Sequence, residues 1–124
     1  MVTKTSAQFD EQIARCRDIF SKKTHDYGTS WRILRPKSLT DQIFIKAQRI
    51  QTLEEKETQM VNEGIEPEFI GIINYAIMGL IQMKLKNDNR LELTEQEALT
   101  LYNKEVDEIK KLMDAESGSY VASV

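Results

Sequence analysis

The stretch that decides the fold is PEFIGIINYAIMGLIQM, at residues 67–83. Wound at 3.6 residues per turn, it is apolar on nearly every side, which is typical of a helix that its neighbours bury. It is also too short and too polar to cross a bilayer. Five residues at spacings of three or four share one side of this helix: Glu68, Gly71, Tyr75, Met78 and Gln82, with Asn74 beside them. Such a polar seam either lines a site or satisfies polar groups of neighbouring elements.

The composition indicates one soluble helical domain. The chain has 124 residues, of which 40% are hydrophobic and 30% charged, with five Gly and two Pro. This length suits a single core, so we predict one domain over residues 1–124 with a frayed tail at 116–124. No signal-peptide pattern opens the sequence, and we expect a cytoplasmic protein. Cys16 is the only cysteine, and its place on an apolar helix face predicts a small buried hydrophobe.

The net charge of −3 conceals an asymmetry between the two parts of the chain. Residues 1–50 contain ten Lys or Arg and five Asp or Glu, whereas residues 51–124 contain seven and fifteen. Either this is a solvated surface with charge pairs between helices, or the first part contacts phosphates and the second supplies carboxylates. The acidic total and the lack of a basic recognition helix argue against nucleic-acid binding as a function.

Hydrophobic periodicity predicts an all-α, four-helix bundle-like fold. The first helix should span residues 6–23, and the second should begin at a cap formed by Ser38 or Thr40, with Ile43, Ala47 and Ile50 as its buried stripe. Gly64 and Pro67 predict a turn at residues 62–67 before the third helix, which should end near Lys84. A capping box at residues 94–97 opens the fourth helix.

Residues 29–38 contain Gly28 just before them and Pro36 near their end, so we predict a long loop there. Loops of this length in small domains often carry function. The only Trp and the only His of the chain lie in or just before it. Trp31 either plugs the end of the core or stacks on a ligand ring. His25 is either a structural hydrogen-bonding group or an aid to proton transfer.

Glu54 and Glu57 follow Ile43 and Ile50 at helical spacing. The pattern therefore places two carboxylates on the buried face of the second helix. A buried carboxylate must be paired, protonated or bound to a metal, since desolvating it alone costs several kcal/mol, roughly. Either these two form part of a site, or this end of the helix projects into solvent.

Three segments of the sequence also resemble a known protein family. The segments KTHDYGTSWR at 23–32, KAQRI at 46–50 and NYAI at 74–77 closely resemble the nucleotide-modification-associated domain family, over about residues 10 to 85. That family is in turn similar to the all-α nucleoside triphosphate pyrophosphohydrolases, the MazG and dUTPase-like group. The resemblance implies an all-α pyrophosphatase-like fold in which carboxylates on two neighbouring helices hold magnesium against the phosphates of a nucleotide.

Carried over residue by residue, the resemblance implies that Glu54, Glu57 and Glu68 are the catalytic and metal-binding carboxylates. A fourth carboxylate would fall at Gly71, which has no side chain. Magnesium would neutralise phosphate charge and activate a water molecule. The implied nucleotide-binding residues are Lys23, His25, Asp26, Tyr27, Trp31, Arg32, Lys46, Arg49, Asn74 and Tyr75.

Three functions stay open at this point. The first is magnesium-dependent hydrolysis of a nucleoside triphosphate, linked to nucleotide modification or pool sanitation. The second is a non-catalytic nucleotide sensor or accessory subunit, which the glycine at position 71 favours. The third is a helical interaction module. A nearly all-round apolar helix in so small a chain predicts a homodimer or higher homo-oligomer in each case, and no membrane partner is expected.

Overall fold

The computed structural model describes residues 4–56 and 61–123 of the chain. Within them the chain forms four α-helices and a short 3₁₀ helix, with no strand: α1 is Lys4–Tyr27, α2 is Pro36–Glu55, α3 is Val61–Lys84 and α4 is Glu95–Ser123, and the 3₁₀ helix is Ser30–Ile33. The all-α, bundle-like fold is therefore confirmed.

Helix α1 begins two residues before its predicted start and extends one turn beyond its predicted end. Ile13, Cys16 and Phe20 are buried at helical spacing, and Thr24 continues that buried stripe, so core packing extends the helix to Tyr27. Gly28 ends it with a φ of 72°, in the left-handed region that glycine adopts without strain, and its N–H donates to the carbonyl of Thr24 at 2.8 Å. Cys16 is buried, as predicted.

The predicted loop at residues 29–38 is largely helical instead. The 3₁₀ helix occupies Ser30–Ile33, and α2 begins at Pro36, ahead of the predicted caps Ser38 and Thr40. Arg35 has the extended backbone that a following proline favours, and Pro36 takes the first helical position, where its missing N–H costs nothing. The predicted stripe of α2 is wrong at Ala47, which is exposed.

Helix α3 begins earlier than predicted, because residues 62–67 continue the helix and Pro67 lies inside it. Gly64 does not end a helix. It lets α3 approach α2, since a Cβ at this position would lie 3.2 Å from Cδ1 of Leu53. Gly71 similarly faces Lys46, so the two helices run antiparallel. Close packing along α2 outweighs the backbone hydrogen bond that Pro67 removes.

Helix α4 opens with the predicted capping box. The N–H of Glu97 donates to Oγ1 of Thr94 at 3.1 Å, and the N–H of Thr94 donates to Oε1 of Glu97 at 3.2 Å. The helix then continues to Ser123, so most of the expected frayed tail at 116–124 is helical.

The core lies between α1, α3 and α4 and is built around Phe20. Its ring stacks on Tyr102 of α4 with centroids 4.5 Å apart, and it contacts Trp31 of the 3₁₀ helix at 6.4 Å. Ile77 and Ile81 of α3 complete this cluster. The 3₁₀ helix is thereby fixed to the core by its tryptophan.

One face of α3 remains uncovered. Its exposed side chains recur at steps of four and three: Phe69, Ile73, Ala76, Leu80 and Met83. Because α3 begins before Pro67, Gly64–Lys84 is long and apolar enough to cross a membrane by length and composition, the one such helix in the described part of the chain. That property is weak evidence for a membrane span, since the core helices of soluble proteins share it.

Candidate functional site

The main cavity of the described structure has a volume of about 640 Å³ and lies between α1, the 3₁₀ helix, α2 and α3. Its lining is mostly apolar and aromatic, with a few polar groups, which is the usual character of a small-molecule site. It includes Phe20, Lys23, Tyr27, Trp31, Lys46, Gly71, Asn74, Tyr75 and Met78. Six of the predicted nucleotide-binding residues therefore line one cavity: Lys23, Tyr27, Trp31, Lys46, Asn74 and Tyr75.

The ring of Trp31 forms part of the cavity wall and is fixed in the core. Its side chain is 7% exposed, and its ring lies 6.4 Å from that of Phe20, centroid to centroid. Its Nε1 is buried and has no hydrogen-bond partner among the described residues. Trp31 therefore offers the cavity an aromatic surface held by core packing.

Lys46 crosses the cavity wall through space that Gly71 leaves open. A Cβ at position 71 would lie 2.6 Å from Cε of Lys46, so a larger residue there would displace the lysine. The Nζ of Lys46 is 3.2 Å from Oε2 of Glu68 and 5.8 Å from the centroid of the Tyr75 ring. Glu68 and Lys46 are 17% and 18% exposed, so this ion pair is largely desolvated.

Two of the three predicted carboxylates, Glu54 and Glu68, lie in the described part of the chain, on different helices. Glu54 is exposed near the end of α2, and Glu57 lies outside the described residues. Glu68 faces Lys46, and its other oxygen is 3.7 Å from Nη1 of Arg49. No group of three or more His, Cys, Asp or Glu suited to a metal occurs in residues 4–56 and 61–123 as described.

The described donor set therefore does not fit the magnesium ion that the resemblance implies. Of the three predicted ligands, Glu68 already has two cationic partners, and the position of the fourth carboxylate is Gly71. The ammonium group of Lys46 takes the space beside that glycine, and a fixed positive charge there repels a divalent cation.

Asn74 lines the cavity but is mainly a connector between three helices. Its Nδ2 donates to the carbonyl of Cys16 on α1 at 3.0 Å, and its Oδ1 accepts from the hydroxyl of Tyr102 on α4 at 2.7 Å. Burial raises the pKa of Tyr102 above its usual value, so the hydroxyl stays a donor. Of the donors of Asn74, one N–H remains for a ligand.

Arg32 does not line the cavity. Its buried guanidinium donates to Oε1 of Gln82 and to the carbonyls of Asp88 and Arg90, at 3.0 and 2.8 Å. The amide of Gln82 in turn donates to the carbonyls of Trp31, Arg32 and Leu34, at distances of 3.2, 2.9 and 2.7 Å. These contacts hold the 3₁₀ helix, and with it Trp31, against α3 and the connection to α4.

The remaining predicted residues lie at the surface outside the lining. His25 is exposed on α1, where its Nδ1 is 3.3 Å from Oε2 of Glu95, and Asp26 is exposed beside it. Arg49 is exposed on α2, near Glu68.

Sequence reasoning missed two determinants of the site. One is Gln82, whose place on the polar seam of α3 was visible but whose partners depend on the fold. The other is Gly71, which we considered only as a missing carboxylate and which supplies space for Lys46.

Residues 23–83 match the model of a family described as nucleotide modification associated domain 1. This agrees with the resemblance seen in the sequence, whereas the relation to the pyrophosphohydrolase group stays a prediction. No curated protein and no solved structure gives a significant match. All described residues that line the cavity, except Ile19 and Phe20, fall within the matched segment.

Proposed function

We propose that this protein binds a nucleotide in the cavity between α1, the 3₁₀ helix, α2 and α3, as a sensor or accessory subunit in nucleotide modification. The observation that carries this proposal is the lining of the cavity, where the aromatic side chains of Tyr27, Trp31 and Tyr75 lie together with Lys23 and Lys46. A nucleobase offers a planar face for the aromatic walls, and the phosphate of a nucleotide offers acceptors for the lysines. The match of residues 23–83 to a nucleotide-modification family supports the same class of ligand.

The carboxylates of the described residues favour nucleotide binding without hydrolysis. Hydrolysis of a triphosphate needs carboxylates that hold magnesium beside the phosphates. Here Glu68 is paired with Lys46 and Arg49, and Glu54 is exposed. A pyrophosphate-release assay with nucleoside triphosphates and magnesium distinguishes the two forms, and we expect no release above the rate without protein.

The binding proposal is tested by replacing Tyr27, an exposed aromatic residue of the lining, with Leu. We expect Tyr27→Leu to lower nucleoside affinity in calorimetry by about tenfold, the equivalent of one lost stacking contact with a base. Phe44→Leu is the matched control, since Phe44 is an exposed aromatic residue that is absent from the cavity lining. Equal affinity of wild type and Tyr27→Leu would contradict stacking of the base on this ring.

We also propose that a second copy of the chain covers the exposed face of α3. The steps of four and three between Phe69, Ile73, Ala76, Leu80 and Met83 are those of a helix that pairs with another helix, and a twofold dimer would place two such faces together. Light scattering tests this: Leu80→Lys should give a monomer. Leu112→Lys, at an exposed position on α4, should keep the mass of the wild type.

A further inference from the structure

We infer that the cavity takes a nucleotide with a single phosphate, bound without a divalent metal, and that Lys46 is the residue that contacts this phosphate. The inference rests on the proposed nucleotide-binding function and specifies the ligand class of that site. It follows from the charges at the cavity, from the partners of Lys46 and from the space beside Gly71.

The charge of the cavity matches one phosphate. Among the described residues that line it, Lys23 and Lys46 are the charged ones, and none is Asp or Glu. A phosphate monoester carries a charge of about −1.5 to −2 at neutral pH, which two lysines balance. Each further phosphate adds negative charge, which proteins usually balance with magnesium and additional cations.

Lys46 is placed to exchange one anion for another. Its ammonium group is 3.2 Å from Glu68, and a phosphate in the cavity would offer it a second anionic acceptor. Glu68 would not be left unpaired, because Arg49 is 3.7 Å from its other oxygen. The desolvation cost that usually accompanies the loss of a buried ion-pair partner is thereby reduced.

Gly71 makes this arrangement possible and opposes a metal at the same place. Side-chain atoms at position 71 would overlap Cε and Cδ of Lys46, at 2.6 and 2.8 Å from a Cβ. A carboxylate side chain at position 71 would therefore overlap the side chain of Lys46 as it lies here. A cation thus occupies the position where a metal site would need an anion.

The test is calorimetry on the full chain with adenosine, AMP, ADP and ATP, and with deoxycytidine and its phosphates, each in magnesium and in EDTA. We expect the monophosphate to bind roughly ten- to a hundredfold more tightly than its nucleoside, as for one charge-assisted hydrogen bond. Further phosphates and magnesium should add less than about threefold, since the described lining has no charged residue besides Lys23 and Lys46.

Lys46→Met identifies the residue responsible. It should remove the preference for the monophosphate over the nucleoside, so that both bind with equal affinity, and Lys46→Arg should keep most of the preference because it keeps the charge. Lys37→Met, at an exposed lysine of the same helix outside the lining, is the matched control and should behave as wild type.

The outcomes separate this inference from the proposed function. Affinity that rises with each phosphate or with magnesium, or a phosphate preference that survives in Lys46→Met, would overturn the inference and leave nucleotide binding in place. A chain that binds no nucleoside or nucleotide would overturn both.

Discussion

The side chain of Lys46 lies where a side chain of Gly71 would otherwise be: a Cβ at position 71 would be 2.6 Å from Cε of Lys46. Glycine is intrinsically unfavourable in the middle of a helix. The space that Lys46 needs explains why glycine is present at position 71. The glycine leaves room for a lysine at the wall of the cavity.

This relationship predicts a difference between two glycines of α3. Gly79→Ala should raise the free energy of unfolding by about 0.5–1 kcal/mol, because alanine favours the helix and a Cβ there meets nothing within 4 Å. Gly71→Ala should gain less, because Lys46 must move away from Glu68. Urea denaturation measures both, and an equal gain at the two positions would contradict the contact.

A second prediction concerns the connection of α1, α3 and α4 through Asn74. Asn74→Ala leaves the Cys16 carbonyl and the Tyr102 hydroxyl without their partner, so it should lower the free energy of unfolding by about 2–4 kcal/mol. In that background Tyr102→Phe should cost less than it does alone. Asn89→Ala, at an exposed asparagine of the α3–α4 connection, is the control. Additive effects of the two substitutions would argue against their hydrogen bond.

Gln82 should control the environment of Trp31. Gln82→Leu removes the donor to three carbonyls and the acceptor for Arg32, so we expect a loss of about 2–4 kcal/mol in unfolding free energy. The emission of Trp31, the only tryptophan, should shift to longer wavelength as the 3₁₀ helix loosens. Gln96→Leu, on the exposed surface of α4, should leave the emission unchanged.

Stability at acidic pH should depend on Asp88. Hydrogen bonds from the side chain and the N–H of Arg90 lower the pKa of Asp88 from 3.8 to about 2. The native state therefore binds fewer protons than the unfolded state in this interval, so the contribution of Asp88 is complete above the unfolded value and is lost as pH falls through about 2. Asp88→Asn should be less stable than wild type at neutral pH, and the difference should vanish toward pH 2. A difference that is constant with pH would contradict this account.

The sequence was a good guide where local chemistry decides the structure. The capping box at residues 94–97 needed only local rules. The predicted boundaries at residues 24–38 and 61–67 were wrong, because we took Gly and Pro as the ends of helices. Burial of Thr24 and close contact of Gly64 with Leu53 instead extend the helices through these positions.

The sequence predicted some residues of the site but not their partners. The aromatic and basic residues near 23–31 do line a cavity with Lys46 and Tyr75. The partners of Glu68 and Arg32 could not be read from the sequence, since they come from α2 and from the α3–α4 connection, which only the fold brings close.

The most direct test of the central claim is a crystal structure of the chain with the tightest-binding nucleoside monophosphate. We predict that the base lies in the cavity against the rings of Tyr27 and Trp31, and that the phosphate lies at hydrogen-bond distance from Nζ of Lys46. A nucleotide bound elsewhere, or a phosphate held through magnesium by Glu54 and Glu68, would contradict the account.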